Sequence, residues 1–260
     1  MEYKFIKNGV EDSVAFIILN RPEKLNSINK EMALEIQHAL DSAASDTGIR
    51  AVYLSGEGRA FCAGQDLSEV IGKDEMPLSD IVRESYNPII KKIRYIEKPV
   101  VCGVNGVAAG AGANLALACD IVFASDTANF IQSFSGIGLI PDSGGTFFLP
   151  RKIGLARATA MMFTGEKVSA NKAKKWGLIY RSVEPAILEK EALGMAKKLA
   201  KMPTKGLAYT KMLLNMSFRN SLEDQLDMEM EYQAKAGSTA DYKEGVDAFL
   251  EKRIPEFKGK

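Results

Sequence analysis

Apolar and polar positions along the chain fall into two regimes. Short, nearly uninterrupted apolar runs at Val14–Leu19 (VAFIIL), Ile49–Ser55 (IRAVYLS), Val100–Val104 (VVCGV) and Asp120–Ala124 (DIVFA) read as buried strands. The stretch Asn20-Arg21-Pro22-Glu23 breaks the first of them and turns the chain. Between the runs, apolar residues recur at helical spacing. Met32, Ile36, Ala39, Leu40 and Ala43 do so after Asn29, which is placed to cap that helix. A second helix is expected from near Leu78 through Ile81, Tyr86, Ile89, Ile90 and Ile93, closed by Lys98-Pro99. Two connections are rich in small residues: GEGRAFCAGQDL, ending at Leu67, and Asn105 to Gly112, which opens into a tight helix over Ala113–Ala118. After Ile140 the strands fade. Helices are expected over Arg157–Thr164, Ser169–Trp176, Pro185–Lys201, Pro203–Asn215, Ser221–Ala236 and Tyr242–Arg253. The pattern gives an α/β core over residues 1–195 and a helical C-terminal part over 196–260.

Composition narrows the class. The chain has 260 residues, 46% of them apolar and 26% charged, which fits a globular protein able to bury a sizeable core. Its 34 basic and 33 acidic residues nearly cancel, and no block of like charges appears, so nucleic acid is not an expected partner. The Lys-rich patches Lys172–Lys175 and Lys197–Lys201 read as solvated helix faces. No apolar run is long enough to span a bilayer, and Met1–Gly9 lacks the apolar segment of a secretory signal. Cys62, Cys102 and Cys119 are odd in number and have no CxxC spacing, which speaks against disulfides and zinc and for a reducing, cytoplasmic setting. His38 is the only histidine and sits among acidic residues, so triad and histidine-metal chemistry lack a partner. No metal site is expected.

The small-residue loops carry the first candidate chemistry. Ala60–Leu67 and Gly106–Asn114 lack side-chain bulk, so a ligand can approach the backbone. Where such a loop enters a helix, free N–H groups point outward with the helix dipole behind them. Two loops of this kind can converge on one oxygen as an oxyanion hole. Tight helix–strand packing or a phosphate cradle would produce the same pattern. No GxGxxG followed by a distant acid is present, which disfavours a dinucleotide fold.

Four segments make the pattern specific: LNRPEKLNSIN at Leu19–Asn29, AFCAGQDL at Ala60–Leu67, KPVVCGVNGVAAGAGANLALACDIVFAS at Lys98–Ser125, and GLIPDSGGTFFLPR at Gly138–Arg151. Together they resemble the enoyl-CoA hydratase/isomerase (crotonase) family over essentially the whole chain. Within it, AGQDL, GVAAGAGA, LIPDSGGT and the ending DYKEGVDAFLEKRIPEFKGK are most similar to the branch of ring-expanding isomerases acting on aromatic acyl-CoA thioesters. The resemblance implies a spiral of ββα units with a helical C-terminal part, and a coenzyme A thioester substrate. It further implies no separate cofactor and assembly into a homotrimer or a dimer of trimers.

The same resemblance implies oxyanion-hole donors at the backbone N–H groups of Gln65 and Ala111, with Gly110 beside the latter. It implies coenzyme A contacts at Ala63, Gly64, Gln65, Asp66 and Leu67, with Lys24 and Leu25 near its nucleotide end. Phe249 and Lys252 match positions that border the coenzyme A site, in some members from a neighbouring subunit. The two glutamates of the family's hydratases fall on Asn114 and Phe134, so both are missing. Asn114 and Phe134 then become substrate-side residues, with Asn114 equally readable as a satisfied buried amide. Asp142, after Pro141 and before Ser143-Gly144-Gly145, matches the single catalytic aspartate of the isomerase branches. By residue type alone it reads more readily as a helix N-cap than as a catalyst. Phe130, Phe134, Tyr86 and Ile137 are candidates for an apolar acyl pocket. Asp66 and Asp120 also read as turn or strand-end caps, and Trp176 as packing. A nucleophilic dehalogenase role for Asp142 lacks its histidine. Two further readings stay open: a Δ3,Δ2-enoyl-CoA isomerase or enoyl-CoA hydratase of fatty-acid oxidation, and a non-catalytic binding protein on the same fold.

Overall fold

The computed structural model describes residues 3–69 and 77–260. In chain order its first strands are β1 (Ile6–Glu11), β2 (Val14–Leu19), β3 (Ala51–Gly56), β4 (Ala60–Cys62) and β5 (Val100–Val104). They are followed by β6 (Val107–Ala109), β7 (Ile121–Ser125), β8 (Asn129–Ile131), β9 (Val168–Ser169) and β10 (Arg181–Val183). The helices interleaved with them are α1 (Lys30–Ser45), α2 (Leu78–Ile81), α3 (Asn87–Tyr95), α4 (Ala111–Ala118), α5 (Gly145–Ile153) and α6 (Leu155–Thr164). Helices α7 (Ala170–Trp176), α8 (Leu188–Ala200), α9 (Thr204–Met216), α10 (Leu222–Gly237) and α11 (Ala240–Glu251) complete the chain. A π-helical turn, Val82–Tyr86, joins α2 to α3.

Two sheets organise the core. One has the order β1-β2-β3-β5-β7-β10 and is parallel except for the β1–β2 pair; the other has the order β4-β6-β8-β9. The pairs β3–β4, β5–β6 and β7–β8 each give one strand to each sheet before the chain turns into helix, so the fold is an α/β spiral of ββα units. The apolar runs lack polar alternation because the larger sheet is covered on both faces. Ile17, Leu19, Val52, Leu54, Val100, Cys102 and Val104 face the main core. Val14, Ala51, Tyr53, Val101 and Phe123 pack against Leu188, Ala192, Ala196 and Ala200 of α8. Asn29 caps α1 as expected, its side chain accepting from Met32 N–H at 3.0 Å.

Several elements differ from expectation. β4 and β6 lie inside stretches read as loops, because three-residue strands give no usable periodicity and exist only by pairing in the smaller sheet, β4 with β6 and β6 with β8. β1 was not anticipated, since IKNGVE reads as mostly polar and is an edge strand held by β2. Strands do not end at Ile140: β9 and β10 follow it. Helix α5 begins at Gly145 with Pro150 inside it, a composition that hides it from propensity. The expected junction at residue 195 falls within α8, whose buried face belongs to the sheet, so the peripheral helices start at α9.

Helix α9 is tied to the core by buried charge. Lys211 donates to Ile93 O at 2.7 Å, to Lys98 O at 3.1 Å and to the Asp120 carboxylate at 2.8 Å. Asp120 also accepts from Arg94 and from Val100 N–H. Arg50 reaches Thr204 Oγ1, Met202 O and Phe257 O, fastening the chain end. Lys211→Met leaves three buried acceptors short of a donor. A loss of about 1–3 kcal/mol of stability is expected, read as a lower midpoint in urea denaturation at unchanged slope.

Candidate active site

The first loop is held from behind. Ile28 N–H donates to Gly64 O at 2.7 Å, Asp66 N–H donates to Ile28 O at 3.0 Å, and Ala63 N–H donates to Leu25 O at 3.0 Å. Residues on an extended strand alternate the side to which their backbone groups point. With Gly64 and Asp66 turned towards Ile28, the N–H of Gln65 faces away from that bridge. Leu25 and Asn26 adopt left-handed φ values of 52° and 54°. Buried Asn26 holds the turn, accepting from Arg21 N–H and donating to Glu57 O and Ala60 O. Lys24 is exposed on the same turn, and Leu67, 48% exposed, follows the loop.

Asp66 turns inward. Its carboxylate takes Arg21 at 2.8 Å in a buried ion pair and accepts from Ser68 N–H and Oγ. Burial pushes the Asp66 carboxyl up, but the bonds from Ser68 and Arg21 outweigh it and hold it below the ordinary carboxylate range. Of the coenzyme A contacts expected, this side chain serves the loop itself. Arg21 was not picked out beforehand, although its place in NRP beside the turn was visible.

The second loop meets the first at backbone distance. A Cβ on Gly64 (φ 96°) would lie 2.9 Å from Ala109 O and 3.5 Å from Ala111 N; one on Gly112 would lie 2.4 Å from Cys62 O. Gly110 has φ 53° and ψ −127°, a conformation side chains exclude, and its N–H donates to Ile131 O. Ala111 then opens α4, whose first backbone bond runs from Asn114 N–H to Gly110 O. The N–H of Ala111 precedes that bond, at the positive end of a helix buried along its whole length. The N–H groups of Gln65 and Ala111 thus sit on adjoining loops. Phe134 is buried with its ring 3.7 Å from the Cβ position of Gly110.

One turn along α4, Asn114 is fully buried. Its Nδ2 donates to Asp142 O at 2.9 Å, and its Oδ1 accepts from Gln132 Nε2 at 2.8 Å. Both ends of the amide are therefore taken by protein groups, and Asn114 acts as the anchor of the Asp142 backbone. Gly145 makes this possible, since a Cβ there would stand 2.5 Å from Asn114 Nδ2. Asp142 does not cap α5: the N-cap is Gly144, which has no side chain, and the Asp142 carboxylate accepts from Ser143 Oγ at 2.9 Å. Burial raises the Asp142 carboxyl above its ordinary value, with the Ser143 bond opposing.

Tyr86 bonds to the first loop, its hydroxyl donating to Gln65 Oε1, and feels the charge of Asp142. The expected acyl pocket is only partly present: Phe130 is sealed in the core and Ile137 is 57% exposed. A cavity of about 510 Å³ instead adjoins the Asp142 turn at Gly144 and the Tyr86 turn at Asn87, walled by Phe147, Phe148, Ile90 and Met216 together with Lys91, Arg94 and Arg219; Asp142 itself does not line it. The FF pair after GGT was the available signal. Phe249, 82% exposed, and Lys252 lie at the end of α11; Phe249 lines a different cavity with Tyr242, Leu250 and Phe257. A single chain does not bring them to the loops. Tyr3 holds the exposed His38 through a 2.7 Å bond, far from any catalytic arrangement in kind. Among the described residues no group of three or more His, Cys, Asp or Glu side chains gathers as a metal site, and no helix is long and apolar enough to cross a membrane.

The family model described as enoyl-CoA hydratase/isomerase matches residues 9–260. The chain belongs to this family. It is 46% identical over 260 residues to a 1,2-epoxyphenylacetyl-CoA isomerase of Escherichia coli (strain K12), covering 99% of each chain. A probable enoyl-CoA hydratase of Rhodobacter capsulatus is 42% identical over the full length of both. A solved enoyl-CoA hydratase from Bacillus anthracis superposes with a TM-score of 0.92 at 33% identity, covering 99% of this chain and 100% of that one. As an enoyl-CoA hydratase/isomerase family member, the chain is expected to act on a coenzyme A thioester.

The raised carboxyl has a consequence for stability. Because the folded state holds the Asp142 proton more tightly than the unfolded chain does, stability falls as pH rises from the ordinary carboxylate value through the raised one. Asp142→Asn removes that penalty. Its thermal midpoint should exceed the parent's at pH 7, and the gap should close towards pH 3; differential scanning calorimetry at both pH values measures it.

Proposed function

We propose that this chain is an acyl-CoA isomerase in which the N–H groups of Gln65 and Ala111 hold the thioester oxygen and Asp142 moves a proton between carbons of the resulting enolate. The observation that carries the reading is the combination of a carboxyl raised by burial, Asp142, with an amide at Asn114 and a phenyl ring at Phe134. Those two positions hold glutamates in hydratases of the family, where a pair of carboxylates activates water. Here nothing at either position can do so, and Asn114 is spent on holding Asp142 O.

The chemistry follows from charge. A proton beside a thioester becomes removable when two preorganised N–H donors stabilise the enolate oxygen, each worth about 3 kcal/mol. A carboxylate made more basic by burial accepts that proton and, shielded from water, returns it to another carbon. The 46% identity to a 1,2-epoxyphenylacetyl-CoA isomerase and the phenylalanine-walled cavity beside Gly144 favour a ring-bearing acyl group, with conversion of 1,2-epoxyphenylacetyl-CoA to oxepin-CoA as the specific reaction. Coenzyme A enters as part of the substrate. Ala63–Leu67, Lys24 and Leu25 would border it. A homotrimer or dimer of trimers is the proposed assembly, in keeping with apolar side chains left outward on α10 and α11, among them Met230 at 70% and Leu250 at 72% exposure. Such an assembly is also what would carry Phe249 and Lys252 to a neighbour's site.

Purified protein is offered 1,2-epoxyphenylacetyl-CoA, a 3-enoyl-CoA and crotonyl-CoA. Isomerisation of the first, with hydration of crotonyl-CoA slower by at least ~100-fold, is expected. Asp142→Asn should lower kcat by about 10²–10⁴-fold while KM changes little. Normal turnover in that variant, or efficient hydration of crotonyl-CoA, rejects the reading in favour of a hydratase.

A further inference from the structure

Tyr86 stands where the first loop and the Asp142 turn meet, and nothing in the reaction above employs its hydroxyl. It closes the π-helical turn Val82–Tyr86. Such turns within longer helices are uncommon and gather at functional sites. The ring is buried at 4% exposure. Its hydroxyl finds its partner in a side chain of the catalytic loop, Gln65 Oε1, where a merely packed tyrosine would commonly settle on a backbone carbonyl. Gln65 Nε2 in turn donates to Asp66 O at 3.3 Å. The Gln65 side chain is therefore laid along its own loop and gripped from a helix. Burial above all holds the Tyr86 phenol well above its ordinary value, so at neutral pH it is a neutral donor.

A loop whose N–H must meet an oxygen within a few tenths of an ångström needs its peptide planes fixed. Behind Gln65 the bridge to Ile28 supplies one constraint. The geometry points to the second: Tyr86 is a positioning residue whose hydroxyl, through Gln65 Oε1, sets the direction of the Gln65 N–H towards the thioester oxygen. This rests on the isomerase reading only for the identity of that oxygen.

Cinnamoyl-CoA tests it without turnover, because the absorption band of a conjugated thioester moves to longer wavelength when its carbonyl is polarised. The wild type, Tyr86→Phe, Gln65→Met, their double variant and Asp142→Asn are titrated with it. The wild type and Asp142→Asn should show the full shift. Tyr86→Phe should bind within about threefold of wild type yet lose most of the shift, with kcat down about tenfold, less than the 10²–10³ of losing a donor outright. Gln65→Met and the double variant should match Tyr86→Phe, since two changes that break one link do not add. An undiminished shift in Tyr86→Phe, or losses that add in the double variant, overturns the inference. Should Tyr86→Phe prove unfolded, Gln65→Met, which leaves the core untouched, decides by the same criterion. A wild type that binds without any shift defeats the oxyanion hole and the inference together, whereas active Asp142→Asn with a shifted band defeats the isomerase reading alone.

Discussion

The site depends on two stretches of backbone packing against each other with nothing between them. Gly64 lies against Ala109 and Ala111, and Gly112 against Cys62 O, at separations that a single methyl group would close. That contact sets two N–H groups side by side where side chains would otherwise intervene. It also explains why α4 is built of small residues. A helix of eight buried residues, AGANLALA, can lie against β4 and β6 with α3 and α5 packed on it only if it is thin, and its thinness lets its N-terminus come up to the loop. Backbone donors placed this way are stiff. They need no reorganisation when charge develops on a ligand oxygen.

The acid is positioned by its main chain and tuned by its burial, and these are separate devices. Asn114 grips Asp142 O and leaves the carboxylate to Ser143 Oγ, so the main chain is fixed without a cation neutralising the side chain. An arginine in its place would depress the carboxyl, as Arg21 does for Asp66 a short distance along the first loop. Two aspartates in one region are thus pushed in opposite directions. One becomes a fixed structural anion, the other a group able to take and give a proton. The arrangement costs stability at neutral pH, because the folded chain holds the Asp142 proton more tightly than the unfolded one.

Around this centre the remaining charges are structural. Lys211, Asp120 and Arg94 lock α9 to the core, Arg50 locks the C-terminal segment, and α8 seals the second face of the larger sheet. A rigid frame of this kind suits a site made of loop backbone, because a displaced loop loses its donors together. Apolar side chains also face outward on the last helices.

The long strands, α1, and the helices from α6 onward were legible in the residues because each has enough length for its period to show, and Asn29 announced its cap. The two glycine-rich loops were legible as places where backbone is exposed to a ligand, and Asp142 as a lone acid in a glycine-rich turn. What the residues could not convey were partnerships between distant segments. Three-residue strands β4 and β6 exist only through their pairing in the smaller sheet. Asn114 reads equally as substrate contact or buried amide until Asp142 O is seen against it. Asp66 looks like a loop acid until Arg21, 45 positions earlier, claims it. Tyr86 reads as core, and only the π-helical turn delivers its hydroxyl to Gln65. Local sequence determines period, caps and backbone freedom, because those act within a few residues. Which polar group meets which, and what its surroundings do to its proton, was decided by tertiary structure, because desolvation and hydrogen bonding are properties of the assembled neighbourhood.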